Sequence, residues 1–288
     1  MPSLSELRKQ IKGIKSTSKI TRAMKMVAGA RFNKAQSLML GSRKFYDEMF
    51  STFSQLVVSA EQSPKIKKFI SSDDKQAMSK TGLIVITGDK GLCGDFNSSV
   101  IKEADRTINN PDNNISCVFV VGRKGCDSLR KRNGLKIIEF PNVFLNLNFA
   151  FADRLGQEIL KKFVDEHLSS VIIISSLFKS MIKKEVAKSV LLPLNIDKTI
   201  KSTGCLYEPA DEDELLTSTI PFIVKSHLYK LLRESYVAEL AQRMRAMDNA
   251  TTNAKMLIDK ITLEMNKARQ ANITRELTEI IGTNEVIK

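Results

Sequence analysis

The N-terminal part of the chain repeats apolar residues at the spacing of one helical face. The residues of this repeat are Leu4, Leu7, Ile11 and Ile14, followed by Met24, Ala28, Phe32, Ala35 and Met39. The repeat lapses between the two groups, at Ser18 and Thr21. No proline interrupts the stretch from Ser3 to Ser63, and Glu6 follows Ser3 at the spacing of a capping box. The pattern predicts a long helix that begins near the N-terminus.

The C-terminal part has a stronger helical pattern. From Phe222 to Ile281 there is neither glycine nor proline, with Pro221 just before this stretch and Gly282 just after it. Proline at the entrance and glycine at the exit are the usual punctuation of a helix. The seam residues inside it are Leu240, Met244, Met247, Thr251, Ala254, Ile258, Ile261, Met265, Ala268 and Asn272. Their alternating spacing of four and three averages 3.5 residues, which predicts a left-handed coiled coil.

The predicted seam can be closed in two ways. Both helices connect to the same middle region, one at each of its ends, so pairing within one molecule requires them to run antiparallel. Pairing between two copies of the chain is the alternative. Alanine, threonine and methionine are more frequent in the seam than leucine. These residues favour a close approach of the helices with moderate pairing strength.

The middle region alternates apolar bursts with amphipathic stretches. The bursts predict strands at Gly82–Thr87, Ile115–Val121, Lys136–Phe140, Val171–Ser175 and Glu185–Leu194. The amphipathic stretches predict helices at Asn97–Ile108, Lys124–Arg132 and Phe151–His167. This alternation predicts an α/β sheet with mostly parallel strands. The stretch Ser63–Lys80 is rich in lysine and serine, and we expect a flexible connector there.

The turn after the first predicted strand contains three glycines, Gly88, Gly91 and Gly94. Glycines between a strand and a helix can form a phosphate-binding loop, because the N–H groups of a helix start attract anions. The spacing here is G-x-x-G-x-x-G, which differs from the dinucleotide and P-loop motifs. Asp95 would also place a negative charge where a phosphate binds. We therefore favour tight strand-to-helix packing, with Asp89 and Lys90 in a solvated turn.

The chain of 288 residues carries 45 Lys and Arg against 32 Asp and Glu, a formal net charge of +13. Such a charge favours an anionic partner, which can be nucleic acid, a lipid surface or an acidic protein. The basic residues of the first helix are spread along it rather than gathered beside a leucine zipper. This distribution favours an acidic protein surface. No apolar run approaches the ~18–20 residues of a membrane helix, so we expect no direct membrane span.

Several enzyme classes have no support in the sequence. The cysteines, Cys93, Cys117, Cys126 and Cys205, form no C-x-x-C pair. His167 and His227 lack the spacing of a zinc site, and no G-x-S-x-G motif of a serine hydrolase occurs. We expect no catalytic residue, no metal ion and no cofactor.

Four regions of the chain carry motifs that are more specific than their helical or turn pattern. They are Ser18–Ala28 (SKITRAMKMVA), Asp89–Gly94 (DKGLCG), Tyr207–Pro209 (YEP), and, in the last region, Arg243–Thr251 (RMRAMDNAT) with Ala268–Ile280 (ARQANITRELTEI). Together they resemble the gamma subunit of F-type ATP synthases over essentially the whole chain. The two terminal motifs are highly specific, whereas the short Tyr-Glu-Pro match would mean little alone.

The resemblance implies a fold that combines an α/β domain with a long coiled coil. The N- and C-terminal helices would form an antiparallel two-helix coiled coil, and a Rossmann-like α/β domain would be inserted between them. The expected division is residues 1–62 for the N-terminal helix, 63–80 for a linker, 81–210 for the α/β foot and 211–288 for the C-terminal helix.

The resemblance also implies a function. The coil would lie inside a ring of alpha and beta subunits, with the foot on the epsilon subunit and the membrane c-ring. Such a subunit is non-catalytic, and it couples c-ring rotation driven by proton flow to ATP synthesis at the beta subunits. The alternative is a basic coiled-coil adaptor that binds nucleic acid.

Individual positions match the motifs of this family. Met24 and Lys25 match the region where the coil meets the lower lobes of the beta subunits. Tyr207 and Glu208 match the foot surface near the c-ring loops. The positions that match coupling of the C-terminal helix to the ring are Arg243, Arg269, Gln270, Thr274 and Glu276.

The sequence departs from the family at three places. Gly88–Lys90 reads Gly-Asp-Lys where Ser-Asp-Arg is more frequent, and the tail from Gly282 to Lys288 is more polar than usual. The paired regulatory cysteines of chloroplast forms are absent around Cys205, so we expect no thiol control of rotation. Because the pattern shows no transit or signal segment, we expect a bacterial protein, peripheral on the cytoplasmic face of the inner membrane.

Overall fold

A computed structural model of the chain describes residues 3–59, 64–70, 80–130, 132, 134–181, 184–196 and 212–286. The chain divides into two compact units. We call Met1–Gly29 with Arg243–Lys288 the helical unit, and Ala30–Gln242 the sheet unit. Within the described residues, none of the helices combines the length and the apolar character that crossing a lipid bilayer requires.

The secondary structure follows the predicted alternation. The helices are α1 (Leu4–Ser59), α2 (Pro64–Ile70), α3 (Phe96–Asn109), α4 (Arg123–Leu129), α5 (Phe149–Asp165) and α6 (Glu212–Val286). The strands are β1 (Thr81–Ile86), β2 (Ile115–Val121), β3 (Lys136–Phe140), β4 (Ser170–Phe178) and β5 (Lys184–Leu192). At the start of α1, the Ser3 N–H donates to Glu6 and the Glu6 N–H donates to Ser3 Oγ, which confirms the capping box.

In the helical unit, α1 and α6 pair antiparallel within one chain. Thr21 Oγ1 lies 2.7 Å from Thr251 Oγ1, and Lys25 Nζ lies 2.6 Å from Asp248 Oδ1. Residue numbers therefore rise along α1 while they fall along α6. This confirms the antiparallel coiled coil and shows that the seam is closed inside a single molecule.

The residues buried in this coil follow the predicted seam. Buried apolar side chains of the helical unit are Leu7, Ala28, Met247, Ala254 and Ile261. Thr21, where the apolar repeat lapses, is only 9% exposed. Thr21 therefore belongs to the seam as a polar member. Asn272 is exposed, so the described seam ends before this residue.

The sheet unit contains a five-stranded sheet of order β3-β2-β1-β4-β5. The pairs β3–β2, β2–β1 and β1–β4 are parallel, and β5 runs antiparallel to β4. This confirms the mostly parallel α/β sheet, in the doubly wound order of a Rossmann-like fold. β4 continues past the predicted end at Ser175 to Phe178. The buried hydroxyls of Ser175 and Ser176 ended the apolar run without ending the strand.

The sheet is covered on both faces. One face packs against α1, α2, α5 and α6 of the sheet unit, in a core that includes Ile84, Phe119, Ile159 and Leu228. The other face packs against α3 and α4, where Val100 and Leu129 contact the alternate residues of the strands. Burial on both sides explains why the parallel strands read as continuous apolar runs.

The predicted punctuation of the C-terminal helix, with Pro221 at its entrance and Gly282 at its exit, is wrong. α6 begins at Glu212 and continues to Val286, so Pro221 and Gly282 lie inside it. Proline inside a helix costs about 3 kcal/mol, because it removes one N–H donor and crowds the preceding turn. Here Ile220 and Ile223 beside it are buried, and their burial offsets this cost. Glycine costs only about 1 kcal/mol in a helix, too little to end one of this length.

The expectation of a flexible connector at Ser63–Lys80 is wrong in its first part. Residues Pro64–Ile70 form α2, and Ile66 is buried in the core on the α6 face of the sheet. Three apolar residues, Ile66, Phe69 and Ile70, lie at helical spacing among the lysines of this stretch. Phe69 and Ile70 are partly buried. The other boundaries of the expected four-part division stay a prediction.

Candidate functional site on the paired helices

The helical unit holds the seven coupling positions of the sequence analysis in two groups. Met24, Lys25 and Arg243 lie where α1 and α6 are paired, and all three are half-buried. The other group lies nearer the C-terminus of α6 and consists of Arg269, Gln270, Thr274 and Glu276. At 1.5 Å per residue, the second group begins about 30 Å along α6 from Asp248, the partner of Lys25.

The first group is built around an ion pair across the seam. Lys25 Nζ donates to Asp248 Oδ1, and the two side chains are 41% and 55% exposed. The pair is accessible to solvent. Because the two charges are opposite, they largely cancel at this level of the coil. Met24 and Arg243 flank it. The group therefore presents a mixed polar and apolar surface.

The second group is fully exposed. Residues 271–278 of α6 are all exposed, and Thr274 Oγ1 donates to the Gln270 carbonyl within the helix. From the register of Thr21 and Thr251, Leu4 at the start of α1 lies level with about residue 268 of α6. α6 thus continues past the start of α1, and its side chains at residues 269–278 are exposed and available to a partner.

Large apolar side chains are exposed near both groups. Those of the helical unit that exceed two-fifths exposure are Ile20, Met26, Val27, Met256, Leu257, Leu263, Ile273 and Leu277. Single exposed apolar residues are common, but their concentration on one slender element is typical of a surface that other proteins cover. The arrangement fits binding rather than catalysis.

The glycine-containing turn of the sheet unit serves a structural role. The Asp89 carboxylate accepts hydrogen bonds from the backbone N–H groups of Arg123, Asn142 and Phe144, at 3.0, 2.8 and 2.8 Å. Asp89 is only 9% exposed, so the expected solvated contact is wrong for this residue. Its carboxylate thus ties the turn after β1 to the start of α4 and to the loop after β3.

Close packing fills the same edge of the sheet. Thr87 Oγ1 accepts from the Gly125 N–H at 2.8 Å and donates to the Val121 carbonyl at 2.9 Å. Gly122 has φ +92°, and a Cβ there would lie 2.1 Å from the Thr87 carbonyl oxygen. The Gly88 N–H donates to the Asn97 side chain. The packing reading of this turn, favoured over nucleotide binding, thus has direct geometric support.

The turn also joins the sheet to the long helices. Cys93 and Phe96 pack with Ala238 of α6 in a small buried cluster. A Cβ on Gly88 would lie 3.4 Å from Glu239 Cγ and Oε1, so the turn lies directly beside α6 at this point. The turn therefore holds α6 against the carboxyl end of β1.

Neither histidine is placed as a metal ligand. Within the described residues, no cluster of His, Cys, Asp and Glu side chains has the arrangement of a metal site. His227 is buried, and its ring stacks on Tyr46 with 4.6 Å between ring centroids. Burial, with a smaller effect of Lys230, lowers the pKa of His227 from 6.5 to about 4. His227 is thus a neutral core residue at pH 7.

Some positions of the sequence analysis cannot be placed. Tyr207, Glu208 and Cys205 lie outside the described residues. Their assignment to a foot surface stays a prediction.

Sequence reasoning missed three residues that the geometry makes important: Asp248, Thr21 and Asp89. Asp248 and Thr21 could have been found by assuming an antiparallel register and asking which polar residues face each other. Asp89 carries no such local signal, because its three donors come from two later loops of the chain.

Comparison with known proteins gives a consistent result. The family model described as ATP synthase matches residues 3–287. ATP synthase gamma chains of Halothermothrix orenii and Chlorobium luteolum are 35% and 33% identical to this chain, each over the full length of both proteins.

Solved structures share the fold. A chain of the Tetrahymena thermophila mitochondrial ATP synthase central stalk and c-ring structure is 27% identical, with a TM-score of 0.60 over 80% of this chain and 99% of that chain. A chain of the Euglena gracilis mitochondrial ATP synthase OSCP/F1/c-ring structure is 19% identical and aligns with a TM-score of 0.68 over 99% of this chain and 94% of that chain. The second likeness concerns the fold alone.

Proposed function

This chain belongs to the ATP synthase gamma-chain family, which forms the non-catalytic central stalk of that enzyme, and we propose how its paired helices do this work. The helical unit acts as a rotor shaft inside the ring of alpha and beta subunits. The sheet unit acts as the foot that meets the epsilon subunit and the c-ring. Proton flow turns the c-ring and the shaft, and the turning shaft drives ATP synthesis at the beta subunits.

The observation that supports this proposal most directly is the asymmetric surface of the helical unit. One shaft faces three chemically equivalent sites, so each site must meet a different side of it. A contact changes the affinity of a site only if it is stronger in one conformation of that site than in another. Because α1 and α6 expose different charged and apolar residues, the sides of the shaft differ.

The two groups of coupling positions would have different tasks. Met24, Lys25 and Arg243 contact the lower lobes of the beta subunits from the paired part of the coil. Arg269, Gln270, Thr274 and Glu276 contact the ring from the single-helix part of α6. Because coupling between sites is reciprocal, ATP hydrolysis in the ring would turn the shaft in the opposite direction.

The finer placement follows from the same proposal. Tyr207 and Glu208 face the c-ring and the epsilon subunit, and the complex is peripheral on the cytoplasmic face of a bacterial inner membrane. The nucleic-acid adaptor has no support from the family model or from the relatives. The chain itself has no ATPase activity in this proposal.

Membrane vesicles that carry the assembled enzyme allow a direct test. Arg269→Ala and Gln270→Ala should each lower ATP synthesis and ATP-driven proton pumping, because they remove contacts of the exposed tip of α6. Lys267→Ala is the matched control, since Lys267 is an exposed residue of the same helix outside the coupling positions. The measurements are ATP synthesis rate, proton pumping and the amount of assembled complex.

The outcomes separate coupling from assembly. A loss of synthesis with normal amounts of complex supports the proposal. Wild-type synthesis and pumping in both tip variants, or an equal loss in Lys267→Ala, would count against these positions. Turnover of ATP by the purified chain, lost on changing Lys90, would contradict the non-catalytic role.

A further inference from the structure

We propose that Thr21, Lys25, Thr251 and Asp248 form a register lock, a polar layer that fixes how α1 and α6 are aligned along the seam of the helical unit. This inference goes beyond the proposed function, because it concerns contacts inside the coil and requires no partner subunit. It identifies Asp248 as the ion-pair partner of Lys25 across the seam.

The layer consists of two contacts one helical turn apart. Thr21 Oγ1 and Thr251 Oγ1 are separated by 2.7 Å, with Thr21 9% exposed. On the next turn, Lys25 Nζ lies 2.6 Å from Asp248 Oδ1. Apolar seam residues Ala28, Met247 and Ala254 surround these contacts. The threonines thus interrupt an otherwise apolar seam, and the ion pair lies at its exposed edge.

Each threonine of this layer also has a carbonyl of its own helix within hydrogen-bond distance. Thr251 Oγ1 lies 2.8 Å from the Met247 carbonyl of its own helix, and Thr21 Oγ1 lies 3.1 Å from the Ser18 carbonyl. Each hydroxyl has one hydrogen to donate. One of the two hydroxyls therefore donates across the seam, and the other accepts this bond while it donates to a carbonyl of its own helix. The cross-seam bond therefore uses a threonine that could have bonded within its own helix.

Within the helical unit, the apolar seam by itself specifies its register weakly. Its spacing of 3.5 residues repeats every heptad, so a slip of one heptad brings apolar residues opposite apolar residues again. Small and flexible seam residues such as Ala254 and Met247 would tolerate that change. Polar residues at seam positions are the usual means by which coiled coils fix their alignment.

A slip of one heptad breaks both polar contacts. With α6 moved so that residue 255 faces Lys25, two lysines oppose each other, because residue 255 is Lys255. Thr21 then faces Ile258 instead of Thr251. Like charges in this position repel, and the cross-seam hydroxyl bond is lost. The native register is thus favoured by its two polar contacts and by the separation of Lys25 from Lys255.

Charge reversal in the full chain tests the lock. The variants are Lys25→Glu, Asp248→Lys and the double exchange Lys25→Glu with Asp248→Lys. Spin labels at cysteines introduced in place of the exposed residues Thr17 and Lys267 report the alignment by their distance, after the four native cysteines are replaced by alanine. A heptad slip moves the helices by about 10 Å along each other, which such a measurement resolves.

We expect one distance in the parent protein. Each single reversal should add a second component, displaced by up to about 10 Å, and the double exchange should restore the single distance. Lys19→Glu is the matched control, since it makes the same charge change at an exposed position of the same helix. It should leave the distance unchanged.

Two results would overturn the proposal. One is a single, unchanged distance in both single reversals. The other is a double exchange that is as heterogeneous as the single variants. Hydrogen exchange of the amides in residues 14–28 gives an independent reading: protection should fall in each single variant and return in the double exchange.

Discussion

The same two helices are packed by different rules in the two units. In the sheet unit, α6 contacts α1 on one side and the sheet on another, and its consecutive residues Leu231, Leu232 and Arg233 are all buried. In the helical unit, the described partner of α6 is α1 alone, and burial is confined to residues such as Met247, Ala254 and Ile261. The number of neighbours, rather than helix propensity, decides which residue types each segment uses.

The polar contacts of the two units differ in the same sense. In the sheet unit, Glu234 is 6% exposed and accepts from Arg43, and Arg233 donates to the Leu147 carbonyl. In the helical unit, the Lys25–Asp248 pair is largely exposed. Buried polar groups must keep their partners because water cannot replace them, whereas exposed groups can exchange partners. We therefore expect the buried pairs of the sheet unit to contribute more stability than the exposed Lys25–Asp248 pair does.

The largest expected difference between the units lies in their apolar contacts. Leu228→Ala should lower the free energy of unfolding by about 3 to 4 kcal/mol, because it leaves a cavity in a core that is closed on several sides. Ile261→Ala should cost about 2 kcal/mol, since water and side-chain rearrangement can fill a space beside a two-helix seam. Denaturant unfolding, with hydrogen exchange to locate the effect, measures both. Equal costs would remove the proposed contrast.

The buried histidine gives the sheet unit a dependence on pH. His227 has its pKa lowered to about 4 by burial, so the unfolded chain binds this proton at a higher pH than the folded chain does. Above pH 6.5 this histidine is neutral in both states and costs no stability. As the pH falls from 6.5 towards 4, the free energy of unfolding falls by roughly 3 kcal/mol. His227→Phe keeps a ring against Tyr46 and removes the titration. Plots of unfolding free energy against pH for the parent protein and the variant should diverge below pH 6.5 and run parallel above pH 7.

The Asp89 carboxylate tests how the glycine-containing turn is held. Asp89→Ala leaves three backbone N–H groups without their acceptor and should cost roughly 2 to 3 kcal/mol of unfolding free energy. Asp89→Asn keeps an oxygen acceptor but loses the charge and the second oxygen, so its cost should be smaller. Lys90→Ala is the control at the neighbouring exposed position. A mild effect of Asp89→Ala would show that the turn is held mainly by packing.

The smallest effects distinguish the ion pairs of the two units. Arg43→Met should cost about 2 kcal/mol, because Glu234 keeps a buried charge without its partner. Lys25→Met should cost less than about 1 kcal/mol, as is usual for an exposed pair. Thermal unfolding at low and high salt separates the two, since salt should weaken the exposed pair more than the pair with buried Glu234. A larger effect of Lys25→Met than of Arg43→Met would contradict this ranking of the two pairs.

The sequence predicts best those elements whose signal is local and continuous. β2 was predicted with its exact ends because Ile115–Val121 is an unbroken apolar run between turn residues. The predicted α6 seam is confirmed at Met247, Ala254 and Ile261, because its period depends only on the helix itself, whereas Asn272 at its end is exposed. Both signals come from neighbours in the chain.

The features that escaped prediction depend on residues far apart in the sequence. Pro221 was read as the start of α6, because nothing near it reveals that Ile220 and Ile223 are buried by other elements. Asp89 was read as solvated, because its donors lie beyond the second and third strands. The coupling positions were reached only through resemblance to a family, since an exposed helix surface has no local signature of its partner.

The close packing at the carboxyl edge of β1 has a consequence for inhibitor discovery. In many doubly wound folds this edge is an open crevice that small molecules enter. Here the Asp89 carboxylate is bound to backbone amides at this edge, and the chain packs so closely that Gly122 has no room for a methyl group. A compound aimed at this edge would have to displace Asp89 from three amides, so screening against this chain is better directed at its protein-covered surfaces.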